Sequence, residues 1–260
     1  MISDSGRWGG KLTSRPLPLG DASIDRLADE ERAALATVWL ARAATERRVA
    51  DAFEVIHDAL AALKTEGEVL RIAKRAVDDE YRHAELSRVV ASRFAGTELP
   101  PPALLALRVP EHPGASEELR HTLHIVGQCA LNETTASLFL EACLAHATGE
   151  LASAALRELL SDEIDHARIG WAHLASVRPE IRAAATPWLL PLTKKNLGIW
   201  RESPRAPASG DVMTAHGAPP ADVIEDALVT AVKDLILPGF KQAGIDARAV
   251  EAWLAAGAAT

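Results

Sequence analysis

Along most of this chain, hydrophobic and polar positions alternate with the three- and four-residue spacing of amphipathic helices, and four long stretches carry the pattern. In the first, 29–64, Trp39, Ala43, Ala50, Phe53 and Leu60 fall on one stripe, and Arg47, Asp51, Glu54 and Asp58 on the opposite face. One acid, Glu46, interrupts the apolar stripe. A short turn at 65–67 leads to the second stretch, 68–94, whose inner stripe reads Val69, Ala73, Ala76, Glu80, His83, Ser87, Val90. So brief a turn predicts an antiparallel pair. The next segment, 95–116, carries Pro100, Pro101, Pro102, Pro110 and Pro113, which excludes one regular helix and leaves a connection long enough to cross the body. The third stretch, 117–146, places Val126, Cys129, Ala136, Leu140 and Leu144 on one face, again interrupted by one acid, Glu133. After a Thr148-Gly149 turn, the fourth stretch, 150–177, lines up Leu156, Leu159, Glu163, His166, Gly170 and His173 or Leu174.

Outside these stretches the pattern is weaker. Residues 1–24, rich in Gly, Ser and Pro, read as an N-terminal arm without regular structure; 25–177 form the helical body, and 178–260 a C-terminal helical extension packed on it. In the extension a helix is expected to run from 179 to 202, interrupted near Pro187 and Pro191. A loop at 203–220 and helical stretches at 221–236 and 246–256, separated by Pro238-Gly239, follow. The chain is 48% hydrophobic but only 4% aromatic, and its Ala, Leu, Glu and Arg content favours helix, so the expected class is all-α. A net charge of −8 supplies no basic footprint, which argues against nucleic acid as a partner. No run of 18 apolar residues and no hydrophobic leader core is present, so no membrane association and a cytoplasmic location are expected. Cys129 and Cys143 share one predicted helix, roughly 21 Å apart at 1.5 Å per residue, and cannot pair there.

The chemistry lies where the stripes are interrupted. Asp79-Glu80-Tyr81-Arg82-His83 and Asp162-Glu163-Ile164-Asp165-His166 both spell D-E-x-x-H, and a Glu and a His three residues apart share a helix face. Each motif follows an inward Glu at a similar distance, 34 positions (80 − 46) and 30 positions (163 − 133). Four carboxylates and two imidazoles facing one core could not remain unpaired, because burying isolated ions costs on the order of tens of kcal/mol. Two divalent cations balance four carboxylates. Oxygen and imidazole donors without thiolate suit iron or manganese better than structural zinc. The Glu54/His57 and Glu118/His121 pairs share the spacing but belong to a solvated face and to a first helical turn, respectively, and are expected to be ordinary surface groups.

These residues and their spacing resemble the ferritin-like di-iron carboxylate superfamily, the group of rubrerythrins and di-iron oxygenases, over about 29–177. The resemblance implies a ferritin-like four-helix bundle with a long crossover between helices 2 and 3 and extra C-terminal helices. It implies Glu46, Glu80, His83, Glu133, Glu163 and His166 as ligands of two iron ions, with manganese accepted at one or both sites. Glu80 and Glu163 would bridge, and Asp79 and Asp162 would each hydrogen-bond the imidazole of the opposite motif. By the same resemblance Ser137 stands where several di-iron oxygenases keep a hydroxyl beside the dioxygen site.

Softer candidates have a plain reading beside the functional one. Cys129, one turn before Glu133, is a pocket residue or a small buried hydrophobe; Ser137 bonds back to its own helix or serves the site; Gly170 opens space or allows close packing; His173 is a satisfied core histidine. Two functions follow. The first is a di-iron oxygenase or oxidase that uses dioxygen, a small organic substrate and an external electron donor, similar to the aldehyde-deformylating or aminobenzoate N-oxygenating branches, although Leu159 stands where the latter has a further His ligand. The alternative is an iron-oxidising or iron-storage protein without an organic substrate. The C-terminal helices would wall off a substrate pocket or build a homodimer interface.

Overall fold

The structure, a computed structural model, describes residues 12–65, 67–202 and 210–257. The first part of the N-terminal arm, Glu66 of the first turn and 203–209 of the C-terminal loop lie outside the described residues. Among those described, every regular element is helical and no strand occurs. None of the helices is long and apolar enough to cross a membrane.

After a single turn, α1 (Ala22–Asp25), come α2 (Asp29–Ala62) and α3 (Glu68–Ala95). The acids Asp29, Glu30 and Glu31 occupy the first turn of α2, and Glu31 accepts a hydrogen bond from the Ala28 N–H at 2.9 Å, so charge and capping start the helix there. Residues 96–116 contain no regular helix. Ser116 then caps α4 (Glu117–Ile125) by accepting from the Leu119 N–H at 3.3 Å. A π-helical segment, Val126–Glu133, joins α4 to α5 (Thr134–His146) without a break, and α6 (Glu150–Ser176) follows. The expected third helix is therefore continuous, but eight of its residues are wound more widely than an α-helix.

Two apolar clusters fill the interior between these helices. One gathers Leu35 and Trp39 of α2, Leu86 and Val90 of α3, Leu140 of α5 and Leu156 and Leu159 of α6. The other gathers Phe53 and Leu60 of α2, Ala73 and Ala76 of α3, Ile125 and Cys129, and Ile169 of α6. Each helix thus passes from one cluster to the other, and the stripe of α2 has the phase expected from its sequence. Gly170 on α6 meets the π-helical segment so closely that a Cβ would lie 2.3 Å from the Ala130 backbone nitrogen. Close packing, not open space, is its role. Gly170→Ala is expected to force the two helices apart and to cost about 1–3 kcal/mol, seen as a fall of several degrees in the thermal midpoint; an unchanged midpoint would contradict this contact.

Three expectations about the ends need correction. The arm, expected to lack regular structure through 24, ends in the helical turn α1, which begins at Ala22. Asp21 caps α1 and also accepts from the Leu151 N–H at 3.1 Å, and Ile24 is fully buried. In the extension, α7 (Pro179–Glu202) runs through Pro187 and Pro191 without interruption. Each interior proline costs ~3 kcal/mol in isolation, and the burial of Ile181, Ala185, Leu189, Leu192 and Leu197 offsets it. After α8 (Asp211–Ala215), the helix α9 (Ala221–Thr230) continues through a second π-helical segment, Ala231–Ile236, into α10 (Leu237–Gln242). Pro238 is the second residue of α10 and lies inside the continuous helix just after the π-helical segment, and Gly239 lets the Trp171 ring approach where a Cβ would be 2.6 Å away. The break comes later, before α11 (Arg248–Ala255). The extension forms a third apolar cluster with Leu131 of the π-helical segment and Leu174 of α6, covering their outer side.

Candidate metal centre

Between the first two apolar clusters lies a polar layer. The ligand atoms of Glu46, Glu80, His83 and Glu163 lie within 4.8 Å of one another, and so do those of Glu80, Glu133, Glu163 and His166. All six residues singled out in the sequence are therefore gathered at one place. Glu80, His83 and His166 are fully buried, Glu133 and Glu163 nearly so, and Glu46 partly. Glu80 and Glu163 belong to both sets; Glu46 with His83, and Glu133 with His166, belong to one each.

The imidazoles are oriented by their second nitrogens. His83 Nδ1 faces Glu163 at 3.4 Å and Glu80 at 3.6 Å, while its Nε2 lies 3.1 Å from Asp162 Oδ2. His166 Nδ1 faces Glu80 at 2.9 Å and Glu163 at 3.3 Å, while its Nε2 points to Asp79 Oδ2 at 3.6 Å. A carboxylate beside Nε2 holds the proton there and leaves the Nδ1 lone pair for the interior. The expected cross-pairing thus holds as a hydrogen bond for Asp162 and as a longer ionic contact for Asp79. Outside them, Arg82 bonds Asp162, and Arg75 donates to Asp79 at 3.3 Å and to Asp165 at 2.8 Å. Burial alone would raise the Asp162 pKa, but the His83 hydrogen bond and the His83 and Arg82 charges hold it below the usual value.

Among the described residues, no arginine or lysine forms an ion pair with the four inner glutamates. Both Glu80 oxygens and His83 Nδ1 are buried without a hydrogen-bond partner. Burial and the neighbouring carboxylates Glu80 and Glu163 push Glu46 well above the usual range. Burial, then Glu163 and Glu80, does the same to Glu133. Burial opposes charge on both imidazoles but is outweighed, for His83 by Asp162, Glu163 and Glu80 and for His166 by Asp79, Glu163 and Glu80, so both are raised. Burial also opposes charge on Glu163, and hydrogen bonds to His166 and His83 force it far down. Protons alone would have to carry this cluster. The same donors could instead hold a metal ion, whose positive charge would take the place of those protons.

The remaining candidates take their plain readings. Ser137 donates to its own helix at Glu133 O, 2.9 Å away. Cys129 is fully buried in the Phe53 cluster, and burial, then Glu133, raises its pKa well above the usual thiol value. Both cysteines are free. His173 bonds Thr122 at 3.2 Å and is lowered by burial to about 4. Glu54 is exposed, and Glu118 pairs with Arg178. Two surface cavities of about 480 and 490 Å³, one at Val109–Ala115 with Arg120 and His124 and the other between α2 and Leu99, include no residue of the cluster.

Sequence reasoning missed the groups that hold Glu133. Gln128 Nε2 donates to Glu133 Oε1, and Asn132 Nδ2 does so at 3.3 Å. A helical wheel separates residues five apart, but a π turn stacks them, so Gln128 reaches Glu133 because the helix is wound more widely there. Two amides beside an isolated inward acid were the available signal.

No family model matches the chain, and no match is found among curated proteins or solved structures.

Proposed function

We propose that this is a ferritin-like di-metal protein that holds two iron ions, with manganese accepted at either position, and activates dioxygen to oxidise a small organic substrate using electrons from an external donor. The observation that carries the reading is the pair of overlapping ligand sets sharing Glu80 and Glu163. The order of the apolar clusters supports the fold. α2 and α6 run from the Trp39 cluster to the Phe53 cluster, and α3 and the α4–α5 helix run the other way, which supports a long crossover through 96–116.

In this reading Glu80 and Glu163 would be shared by both metal positions, Glu46 and His83 would complete one, and Glu133 and His166 would complete the other. Reduced iron there would supply electrons to dioxygen. The chain's own part is to orient and to exclude water. Asp162 hydrogen-bonds His83, Asp79 faces His166 at 3.6 Å, Phe53 packs its ring 4.9 Å from that of His166, and the two apolar clusters flank the layer on both sides. The partly exposed Glu46, Gln128 and Asn132 mark the side from which small molecules would approach. An oxygenase is favoured over iron storage because the C-terminal helices join the site, α7 reaching Asn132 through Trp200 and Asn196.

The test is the amount of iron oxidised per chain when ferrous iron is in excess under air. The oxygenase reading expects oxidation to stop near two equivalents. Continued uptake into tens or hundreds, with a ferric mineral, would establish the storage reading instead.

A further inference from the structure

The hydrogen bonds around Glu133 do not end at the cluster. Asn132 donates through Nδ2 to Glu133 Oε1, and its Oδ1 lies 3.1 Å from Trp200 Nε1 and 3.4 Å from Asn196 Nδ2. An indole N–H only donates, so the amide oxygen of Asn132 must face Trp200 and its NH₂ must face Glu133. The orientation of the amide is thereby fixed by α7. Gln128 donates to the same Glu133 oxygen through the π-helical spacing. With Oε1 taken by two amides, Oε2 is the oxygen left for a cation shared with Glu80, Glu163 and His166. Trp200 itself is clamped by the Phe139 ring at 5.1 Å.

We infer that Asn132 and Gln128 are positioning residues that fix the Glu133 carboxylate for one of the two metal positions, and that Trp200 of α7 senses occupation of that position through Asn132. This deepens the di-metal reading and rests on it. Both donors hold the same oxygen of Glu133, Oε1, and donors neighbouring a metal ligand are typically worth about 10–100-fold in affinity. The effect should be confined to one ion, because Glu46 and His83 take no part in these bonds. It also gives the C-terminal helices a task at the site beyond covering it. When a cation draws on Glu133, the bond from Asn132 weakens or turns, and the indole N–H of Trp200 registers the change.

The experiment is calorimetric titration of the full-length, metal-stripped chain with Mn(II), alongside tryptophan emission during titration with closed-shell Zn(II). Wild type should bind two Mn(II). Asn132→Leu and Gln128→Leu should each weaken one of the two by about 10–100-fold and leave the other within about twofold. Zn(II) should shift the wild-type emission spectrum, and the shift should vanish in Trp200→Phe and in Asn132→Leu, whose helix content by circular dichroism should match wild type. If Asn132→Leu fails to fold, Gln128→Leu and Trp200→Phe decide alone. Two tight Mn(II) sites in every variant, or a Zn(II) shift that persists in Trp200→Phe, would overturn the inference and leave the di-metal reading standing. A wild type that binds neither Mn(II) nor Fe(II) would overturn both.

Discussion

Glu80→Ala and Glu163→Ala are expected to abolish the binding of both cations, whereas Glu46→Ala, His83→Ala, Glu133→Ala and His166→Ala should each remove one. The distinction follows from the geometry: Glu80 and Glu163 contribute ligand atoms to both sets, and the other four residues to one set apiece. Loss of a shared carboxylate leaves each position short of a donor and also leaves two cations in a dry interior with less negative charge between them, where their repulsion is poorly screened. Metal content after loading with Fe(II) or Mn(II) and desalting reads the result, against about two ions per wild-type chain expected for a carboxylate-bridged pair. Asp51→Ala, Glu54→Ala and His121→Ala should load like wild type. Asp51 is engaged with Arg47 at 2.6 Å, and Glu54 is exposed. Full loading of Glu80→Ala would sink the assignment of a shared ligand, and equal losses in Glu46→Ala and Asp51→Ala would mean that α2 is rotated from the phase described.

Much of this site was legible because buried charge is rare. A Glu on an otherwise apolar stripe, as at Glu46 and Glu133, breaks a periodic pattern and so stands out in the sequence. The D-E-x-x-H repeats then fix which face of α3 and α6 turns inward. The pairing of His83 with Asp162 was expected from the resemblance to di-iron carboxylate proteins and not from the spacing itself. What escaped was set by tertiary packing. The π-helical turn at Val126–Glu133 changes the residue spacing itself, so the bond from Gln128 cannot be found on an α-helical wheel. The helix through Pro187 and Pro191 survives because its apolar face is buried, a gain that no local rule about proline contains. Gly170 is small for the sake of the Ala130 backbone and not for a substrate, which only the approach of two helices could reveal. The link from α7 to Glu133 joins residues 68 positions apart, Asn132 and Trp200, which carry no shared motif.

The metal-free protein should become less stable as pH rises, and cations should reverse that trend. Glu46 and Glu133 are raised above the ordinary carboxyl value of 4.5, and His83 and His166 above the ordinary imidazole value of 6.5. All four therefore hold protons more tightly folded than unfolded. For the glutamates, a penalty grows as pH rises above 4.5, where the unfolded chain ionises freely and the folded one does not. For the histidines, a stabilising contribution is fully present below 6.5 and is lost as pH climbs through their raised folded values. Glu163 is shifted the other way, and its contribution is lost only in strong acid, below this window. Cations take the place of these protons, so their binding should release protons, measurable with an indicator dye in weak buffer, and should tighten with pH. A free metal concentration a thousandfold above Kd contributes about 4 kcal/mol per ion, and in a chain of this size that is a rise of about ten degrees or more in the thermal midpoint. The gap between midpoints with and without Mn(II) is thus expected to widen as pH rises above the ordinary imidazole value of 6.5, because the raised groups lose their protons there. A metal-free midpoint that climbs over that range, or metal binding without proton release, would show that protons do not occupy this cluster in place of cations.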